Sequence, residues 1–141
     1  MNSHLAFDRT FAALATVAVA AGTVAGFWVL GTPGQQRLII GDRQRLEDLN
    51  AIANTLYWRQ QEQTDYVLPD ALDPADRRED PITRELYQYS KIDEDRYKIC
   101  ANFATDSDTQ KLANPNNKSW QHPQGFHCFE LELSQQPPSL Y

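Results

Sequence analysis

No charged residue occurs between Thr10 and Gly31, and this uncharged run constrains the fold more than any other feature. As an α-helix it would be about 33 Å long at about 1.5 Å per residue, enough to cross a hydrocarbon core of about 30 Å. Phe27 and Trp28 lie near its end, where aromatic side chains anchor a helix at the membrane interface. The sequence therefore predicts a transmembrane helix over 10–31, preceded by an N-terminal tail over 1–9.

A cleaved secretory signal is the alternative interpretation of this run. Ala18-Val19-Ala20 would suit a signal peptidase, and the run is close to the N-terminus. It is longer, however, than the apolar core of about 7–15 residues that is usual in such signals. We therefore expect an uncleaved membrane anchor.

The apolar run contains little leucine or isoleucine and much alanine and glycine, as residues 18–30, AVAAGTVAGFWVL, illustrate. Inside lipid no hydrophobic force draws helices together, and closely packed helices use small residues that let their backbones approach. Gly22 and Gly26 form a GxxxG motif, and a small-residue stripe at spacings of three and four comprises Ala15, Ala18, Gly22 and Gly26. The stripe predicts packing on transmembrane helices of a larger membrane complex, with a plain lipid tether as the alternative.

The rest of the chain predicts one α+β domain over 32–133 and an extended C-terminal tail over 134–141. Thr32 can cap a new helix that has Pro33 in its first position, and apolar residues then recur with helical spacing from 36 to 63. The apolar positions are Leu46, Leu49, Ile52, Ala53, Leu56 and Tyr57. Polar residues are expected on the other faces of this helix: Arg45, Glu47, Asp48, Asn50 and Arg59.

Three later segments, 86–92, 97–103 and 126–133, alternate between apolar and polar residues as half-buried strands do. The polar residues Asp93-Glu94-Asp95 predict a hairpin turn between the first two. In the third segment one face should carry Phe126, Cys128, Glu130 and Glu132, and the other His127, Phe129, Leu131 and Leu133. We therefore expect a long amphipathic helix packed on a small three-stranded antiparallel sheet.

Several short segments resemble a known family. They are the helix over 43–61, Leu68-Pro69, Asp80-Pro81-Ile82-Thr83 before Tyr87-Gln88-Tyr89, the strand Tyr97 to Phe103, and a Trp-x-His-x-x-Gly-x-x-Cys-Phe pattern from Trp120 to Phe129. Over 36–129 the chain resembles the globular part of type II secretion major pseudopilins, and more closely the pseudopilin-like periplasmic domains of small bacterial membrane proteins of unknown function. The resemblance implies an α+β domain on the periplasmic side of the bacterial inner membrane.

The apolar run departs from the pseudopilin pattern. A pseudopilin is processed at a Gly followed by Phe-Thr-Leu-x-Glu or a similar sequence, and residues 5–30 contain neither this pattern nor a glutamate. Pro33 also interrupts what would be one continuous helix. We therefore expect a single-pass accessory subunit of a larger membrane complex, such as a photosynthetic or respiratory assembly. A pseudopilin-like subunit of a secretion or pilus-type machine is the alternative.

Cys100 and Cys128 are the only cysteines, and each falls on a predicted strand. Outside the cytoplasm they would form a disulfide. The alternatives are two free thiols, or a metal site with His122 and His127, although no CxxC or HxxxH spacing supports a metal.

Two features of the sequence disagree about the side of the membrane on which the domain lies. Arg37, Arg43 and Arg45 after the apolar run outnumber Arg9 before it, which slightly favours a cytoplasmic domain. The paired cysteines and the family resemblance favour the periplasm. Since the charge difference is small, we expect a cytoplasmic N-terminus and a periplasmic domain.

The sequence indicates no catalytic activity. It contains no glycine-rich phosphate loop, nucleophile elbow or cofactor-attachment motif, so we expect neither enzymatic activity nor a cofactor. A net charge of −6 makes nucleic acid an unsuitable partner. The carboxylates Asp65, Asp70, Asp73, Asp76 and Asp80 are expected in a solvated loop. Asp106 and Asp108 are candidate calcium ligands, because a loop of related pseudopilins binds calcium.

Overall fold

The computed structural model describes residues 2–30, 32–63, 65–109 and 118–140. The chain divides into two compact units, Met1–Arg37 and Leu38–Tyr141.

The first unit is dominated by helix α1, Asn2–Leu30. The helical stretch from Thr10 onward includes a window long and apolar enough to cross a membrane, none of it buried, and it is the one such stretch among the described residues. A signal sequence near the N-terminus shares this property. The hydroxyls of Thr16 and Thr23 donate to the carbonyls of Ala12 (2.9 Å) and Val19 (2.8 Å). These polar side chains are therefore satisfied within the helix itself.

Helix α2 spans Pro33–Glu62. The Thr32 hydroxyl accepts a hydrogen bond from the Gln35 N–H, and the Gln35 side chain accepts one from the Thr32 N–H, each 3.4 Å long. This reciprocal pair is a capping box, and it confirms that a new helix begins at Thr32-Pro33.

The sheet has three antiparallel strands in the order β1-β2-β3, as the alternating segments predicted. The strands are β1 Gln88–Lys91, β2 Arg96–Phe103 and β3 Gly125–Glu132. A carboxylate oxygen of Asp93 accepts hydrogen bonds from the N–H groups of Asp95 (3.1 Å) and Arg96 (2.8 Å), which stabilise the β1–β2 turn.

The first strand begins later than the alternation predicted. Leu86 forms an isolated bridge with Glu79, and Arg84 has a φ of 63° in a turn closed by a 3.0 Å bond from its N–H to the Asp80 carbonyl. This turn folds the chain back on the preceding loop, so regular pairing with β2 starts only at Gln88.

The core forms between one face of α2 and one face of the sheet. Leu49, Ile52, Ala53 and Leu56 supply the helix side. The sheet and the loops supply Tyr97, Ile99, Ala101, Phe103, Phe129, Leu133, Leu68, Leu72 and Trp120 to the same apolar cluster. The second unit is thus an α+β domain with a small antiparallel sheet, as predicted.

The C-terminal tail lies on α2. The Pro138 carbonyl accepts hydrogen bonds from the Asn50 side chain (2.9 Å) and the Trp120 indole (2.8 Å). Pro137 is buried, and Leu140 packs partly against the core. Residues 136–140 contain no strand or helix, and the Pro138 carbonyl and the buried apolar contacts attach them to the domain.

Candidate functional site

The small-residue stripe lies along one side of α1, because residues three and four apart share a face of an α-helix. A Cβ atom at Gly22 or Gly26 would meet no atom within 4 Å. Ala15 and Ala18 are also exposed. The face is therefore open and has room for a close partner, although its occupant stays a prediction.

A second apolar face of α1 ends at Trp28. Its residues line a shallow groove: Val17, Ala20, Ala21, Val24, Ala25 and Trp28. Successive residues are about 100° apart around a helix, which places Val24 almost opposite Gly22. The expected interface anchor Phe27 is exposed as well. Trp28 is 88% exposed, so it is available for the interfacial contact that the sequence predicts, and the groove beside it was not anticipated.

The two cysteines form a disulfide, which confirms the first of the three alternatives. Cys100 and Cys128 are directly opposite each other in the β2–β3 register, and their Cα atoms are 4.0 Å apart. Because they alternate with the core residues Ile99 and Phe129, they lie on the face of the sheet that points away from α2. The bond occupies both sulfur atoms, so neither free thiols nor a metal site with cysteine ligands is present.

His127 directly precedes Cys128 in β3, so its side chain projects to the opposite face of the sheet from the disulfide. The ring of His122 is buried and stacks on Phe103 with 3.7 Å between ring centroids. His127 packs edge-on against Phe129. Burial lowers the pKa of His122, and the Pro123 carbonyl, 3.2 Å from its Nδ1, only partly opposes this. His122 is therefore a neutral core residue near pH 7, and its Nε2 has no hydrogen-bond partner within the described parts of the chain.

A buried ionic network is the most unexpected feature of the domain. Asp42, Arg45 and Asp80 are 0%, 3% and 5% exposed. Arg45 donates to Asp42 at 2.7 Å and to Asp80 with two nitrogens, one of them at 3.0 Å. The guanidinium thus lies between two carboxylates, one from its own helix and one from the loop before β1.

Both carboxylates have further donors. Asp42 accepts hydrogen bonds from the Ala104 N–H (2.8 Å) and from the N–H (2.7 Å) and hydroxyl (2.6 Å) of Thr105. Asp80 accepts bonds from the N–H groups of Ile82 (2.8 Å) and Thr83 (2.9 Å). The network therefore joins α2, the loop before β1 and the segment that follows β2.

These bonds favour the charged forms of Asp80 and Arg45. Burial opposes ionisation of Asp80, but the hydrogen bonds from Arg45, Thr83 and Ile82 outweigh it and lower its pKa below the usual range. Burial likewise disfavours the charged form of Arg45, and the bonds to Asp80 and Asp42 overcome it, which raises its pKa. Each group is hydrogen-bonded within the network and closed to solvent, and a fully satisfied buried network of this kind rigidifies the surrounding structure.

The network corrects two expectations. Asp80 was expected in a solvated loop and is buried, because it binds Arg45. Arg45 and Asp48 were expected away from the core and are buried too. Asp48 accepts hydrogen bonds from the Tyr87 hydroxyl (3.1 Å) and from Arg78 (3.2 Å). The available signal was the spacing: Arg45 lies four residues before Leu49, on the same face of the helix.

The loop over 65–80, which carries the five aspartates expected in solvent, is also attached to α2 through Arg59. Arg59 bonds to Asp73 at 3.1 Å and to Asp76 at 2.9 Å. Asp76 is therefore a paired carboxylate as well, and the expected solvated loop is held on the helix by arginine–carboxylate contacts.

The candidate calcium ligands Asp106 and Asp108 lie at the edge of the described region. A carboxylate oxygen of Asp106 accepts a hydrogen bond from the Asp108 N–H at 2.8 Å, as in an Asx turn. Within residues 2–30, 32–63, 65–109 and 118–140, no group of three or more His, Cys, Asp or Glu side chains is placed to hold a metal ion.

No family model, no curated protein and no solved structure matches the chain.

Proposed function

We propose that this protein is a non-catalytic, single-pass accessory subunit of a larger membrane complex, anchored by α1. The observation that carries the proposal is the apolar window of α1, none of which is buried. An exposed apolar surface of this size requires cover, and lipid together with other transmembrane helices supplies it.

The small-residue stripe supports association rather than simple anchoring. A helix that contacts only lipid gains from large apolar side chains, whereas Gly22 and Gly26 leave an open surface that suits a second helix at short distance. The stripe is therefore the proposed docking face.

The disulfide supports a periplasmic location for the domain, because such bonds persist in oxidising compartments and are rare in the cytosol. The buried charges of Asp42, Arg45 and Asp80 are engaged with one another, which favours a scaffolding role over catalysis.

A pseudopilin-like subunit is the second candidate. It is favoured by the domain, in which a long helix supplies one side of the core and an antiparallel sheet the other. The apolar run without a glutamate and the start of α2 at Pro33 after the Thr32 cap favour the accessory subunit.

Membrane extraction followed by native electrophoresis tests the proposal. The tagged full chain should stay in the membrane after an alkaline carbonate wash. After extraction in a mild detergent it should migrate in a complex much larger than the 16.1 kDa chain. Release by carbonate would contradict the anchor, migration as a monomer would contradict the complex, and a filament of one repeated subunit would favour the second candidate.

A further inference from the structure

Four apolar residues surround the first turns of α2 in the second unit. We call them the apolar collar: Leu38, Ile39, Ile40 and Ile82. Leu38, Ile40 and Ile82 are 41%, 62% and 56% exposed, and Ile39 is half-buried. The collar is thus an apolar surface that the domain itself leaves uncovered.

The position of Ile82 is defined by Gly41. A Cβ atom at Gly41 would lie 2.7 Å from Cδ1 of Ile82, so Ile82 lies against the backbone of α2 at this turn. The loop around it is held by Asp80, which accepts hydrogen bonds from the N–H groups of Ile82 and Thr83 and pairs with buried Arg45. Ile82 is therefore presented outward from a firmly attached loop.

Leu38, Ile39 and Ile40 point in different directions from α2, which suits contact with a lipid layer better than contact with a protein docked on one side. Three consecutive helical residues project about 100° apart, so these side chains span about 200° of the circumference of α2, and Ile39 is half-buried by the domain. Farther along the helix, Leu49, Ile52 and Leu56 share one face. All three are buried in the core between α2 and the sheet. A protein docked on one side would leave part of the collar in water, whereas an apolar layer around the helix would cover all of it.

The surrounding charges suit lipid phosphates. Arg37 and Arg43 lie on α2 on either side of Leu38, Ile39 and Ile40 and are exposed, and no acidic residue occurs between Arg9 and Asp42. Arg84, near Ile82, is exposed together with its acidic neighbour Glu85. Asp42 itself is buried and paired with Arg45. This end of α2 is thus locally basic in a chain whose net charge is −6.

The length of chain between the collar and α1 is short. Measured along α2, Ile40 lies about 10 Å beyond Pro33 at about 1.5 Å per residue, and α1 ends at Leu30. Headgroup layers add roughly 5–8 Å to each side of a bilayer core. This length of chain exceeds the thickness of the layer, so if α1 crosses the membrane, the collar reaches the layer where α2 lies at an angle to the bilayer normal.

We propose that the apolar collar binds the lipid headgroup layer, with Arg37 and Arg43 on lipid phosphates. This inference rests on the proposed membrane anchor. It adds a second attachment by which the bilayer surface holds the domain.

Photo-crosslinking of the full chain tests the proposal. A benzophenone amino acid replaces Ile82 or Ile40, and in control variants it replaces Val67 or Phe126, which are exposed to a similar degree (65% and 58%). The variants are reconstituted in vesicles of phosphatidylcholine with phosphatidylglycerol and irradiated, and lipid adducts are quantified by mass spectrometry. We expect several times more lipid adduct at the collar positions than at the controls, and less when phosphatidylglycerol is omitted.

The opposing outcomes separate this inference from the proposed function. Equal adduct yields at all four positions, in protein that resists a carbonate wash, would overturn the collar and leave the anchor intact. Crosslinks from Ile82 to a protein in native membranes, in place of lipid, would show that a partner covers the collar and would overturn it as well. Release of the protein by carbonate would overturn both proposals.

Discussion

Removal of the guanidinium from the buried network is the sharpest test of the domain architecture. Arg45→Met retains an unbranched side chain but deletes the donors to Asp42 and Asp80. Because both carboxylates are closed to solvent, the variant leaves two like charges in the interior without the cation between them. The domain should therefore unfold far more easily.

The size of the loss in stability depends on the hydrogen-bond donors that Asp42 and Asp80 keep in the Arg45→Met variant. Breaking a buried ion pair by removing one partner costs about 3–5 kcal/mol. Asp42 keeps the bonds from Ala104 and Thr105, and Asp80 keeps those from Ile82 and Thr83, so we expect the lower end, about 3 kcal/mol. A domain of ordinary stability has only about 5–15 kcal/mol in total.

A double-mutant cycle with Asp80→Asn isolates the pair. Asparagine can still accept hydrogen bonds from the Ile82 and Thr83 N–H groups but carries no charge. In the Asp80→Asn background, Arg45→Met should lower the free energy of unfolding by less than it does in the native chain. The difference between the two losses, the coupling energy, should be about 0.5–3 kcal/mol. Additive losses would mean that the pair does not interact as described.

Urea unfolding of the full chain in detergent micelles measures these losses. The signal is the fluorescence of Trp120, which is buried, whereas Trp28 and Trp58 are exposed and should change little. Arg43→Met, two positions away and exposed, is the matched control and should change the free energy of unfolding by less than about 0.5 kcal/mol. A loss below about 1 kcal/mol for Arg45→Met would refute the network.

Three further predictions concern the core, the disulfide and pH. Leu56→Ala should cost about 2–5 kcal/mol in the same unfolding assay, because Leu56 is buried between α2 and the sheet; a loss below about 1 kcal/mol would place the helix elsewhere. The native chain should be two protons lighter than the reduced chain by mass spectrometry, and reduction should destabilise the domain by about 3–4 kcal/mol in the chain-entropy model; equal masses would contradict the Cys100–Cys128 bond. The folded domain lowers the pKa of His122, so the unfolded chain binds more protons as the pH falls below about 6.5. Stability should be fully present above that pH and fall below it, and His122→Gln should flatten this slope; an unchanged slope would show that His122 is not the titrating group.

The sequence predicted the regular elements of the domain well because their patterns are local. Apolar spacing located α2 around Leu49 and Ile52, and alternation located β2 and β3 with the correct faces. Thr32 and Pro33 marked the start of α2 through capping chemistry alone. Each signal depends on neighbouring residues, whose geometry a helix or strand determines.

The ionic network was missed because its contacts are distant in sequence. Arg45 and Asp80 are separated by 35 positions, and their pairing depends on how the loop folds back through the turn at Arg84. Charged residues are normally expected outside the core, so Asp80 was assigned to solvent. Helical spacing nevertheless aligned Arg45 with Leu49, which was the one available indication that this arginine faces inward.

The docking face on α1 could be proposed from composition, since Gly22 and Gly26 are conspicuous in an apolar helix. The structure adds that Val24 and Trp28 line a separate groove, which provides a control on another face of the same helix. The sequence does not identify the partner helix, because small residues permit close packing with any helix that has a complementary surface.

Native electrophoresis of α1 variants shows whether the small-residue stripe docks the subunit in a complex. Gly22→Leu and Gly26→Leu should drive a packed helix away and release the subunit from its complex, because a leucine side chain cannot fit between closely packed backbones. Val24→Leu, on the opposite face, should leave the complex intact. Every variant should still insert, since leucine favours the membrane more than glycine does, and the signal is normalised to the amount of each protein in the membrane. We expect loss of the large complex for the two glycine variants and not for the valine variant. Glycine and valine variants that migrate alike would contradict docking through the stripe and leave α1 as a simple tether.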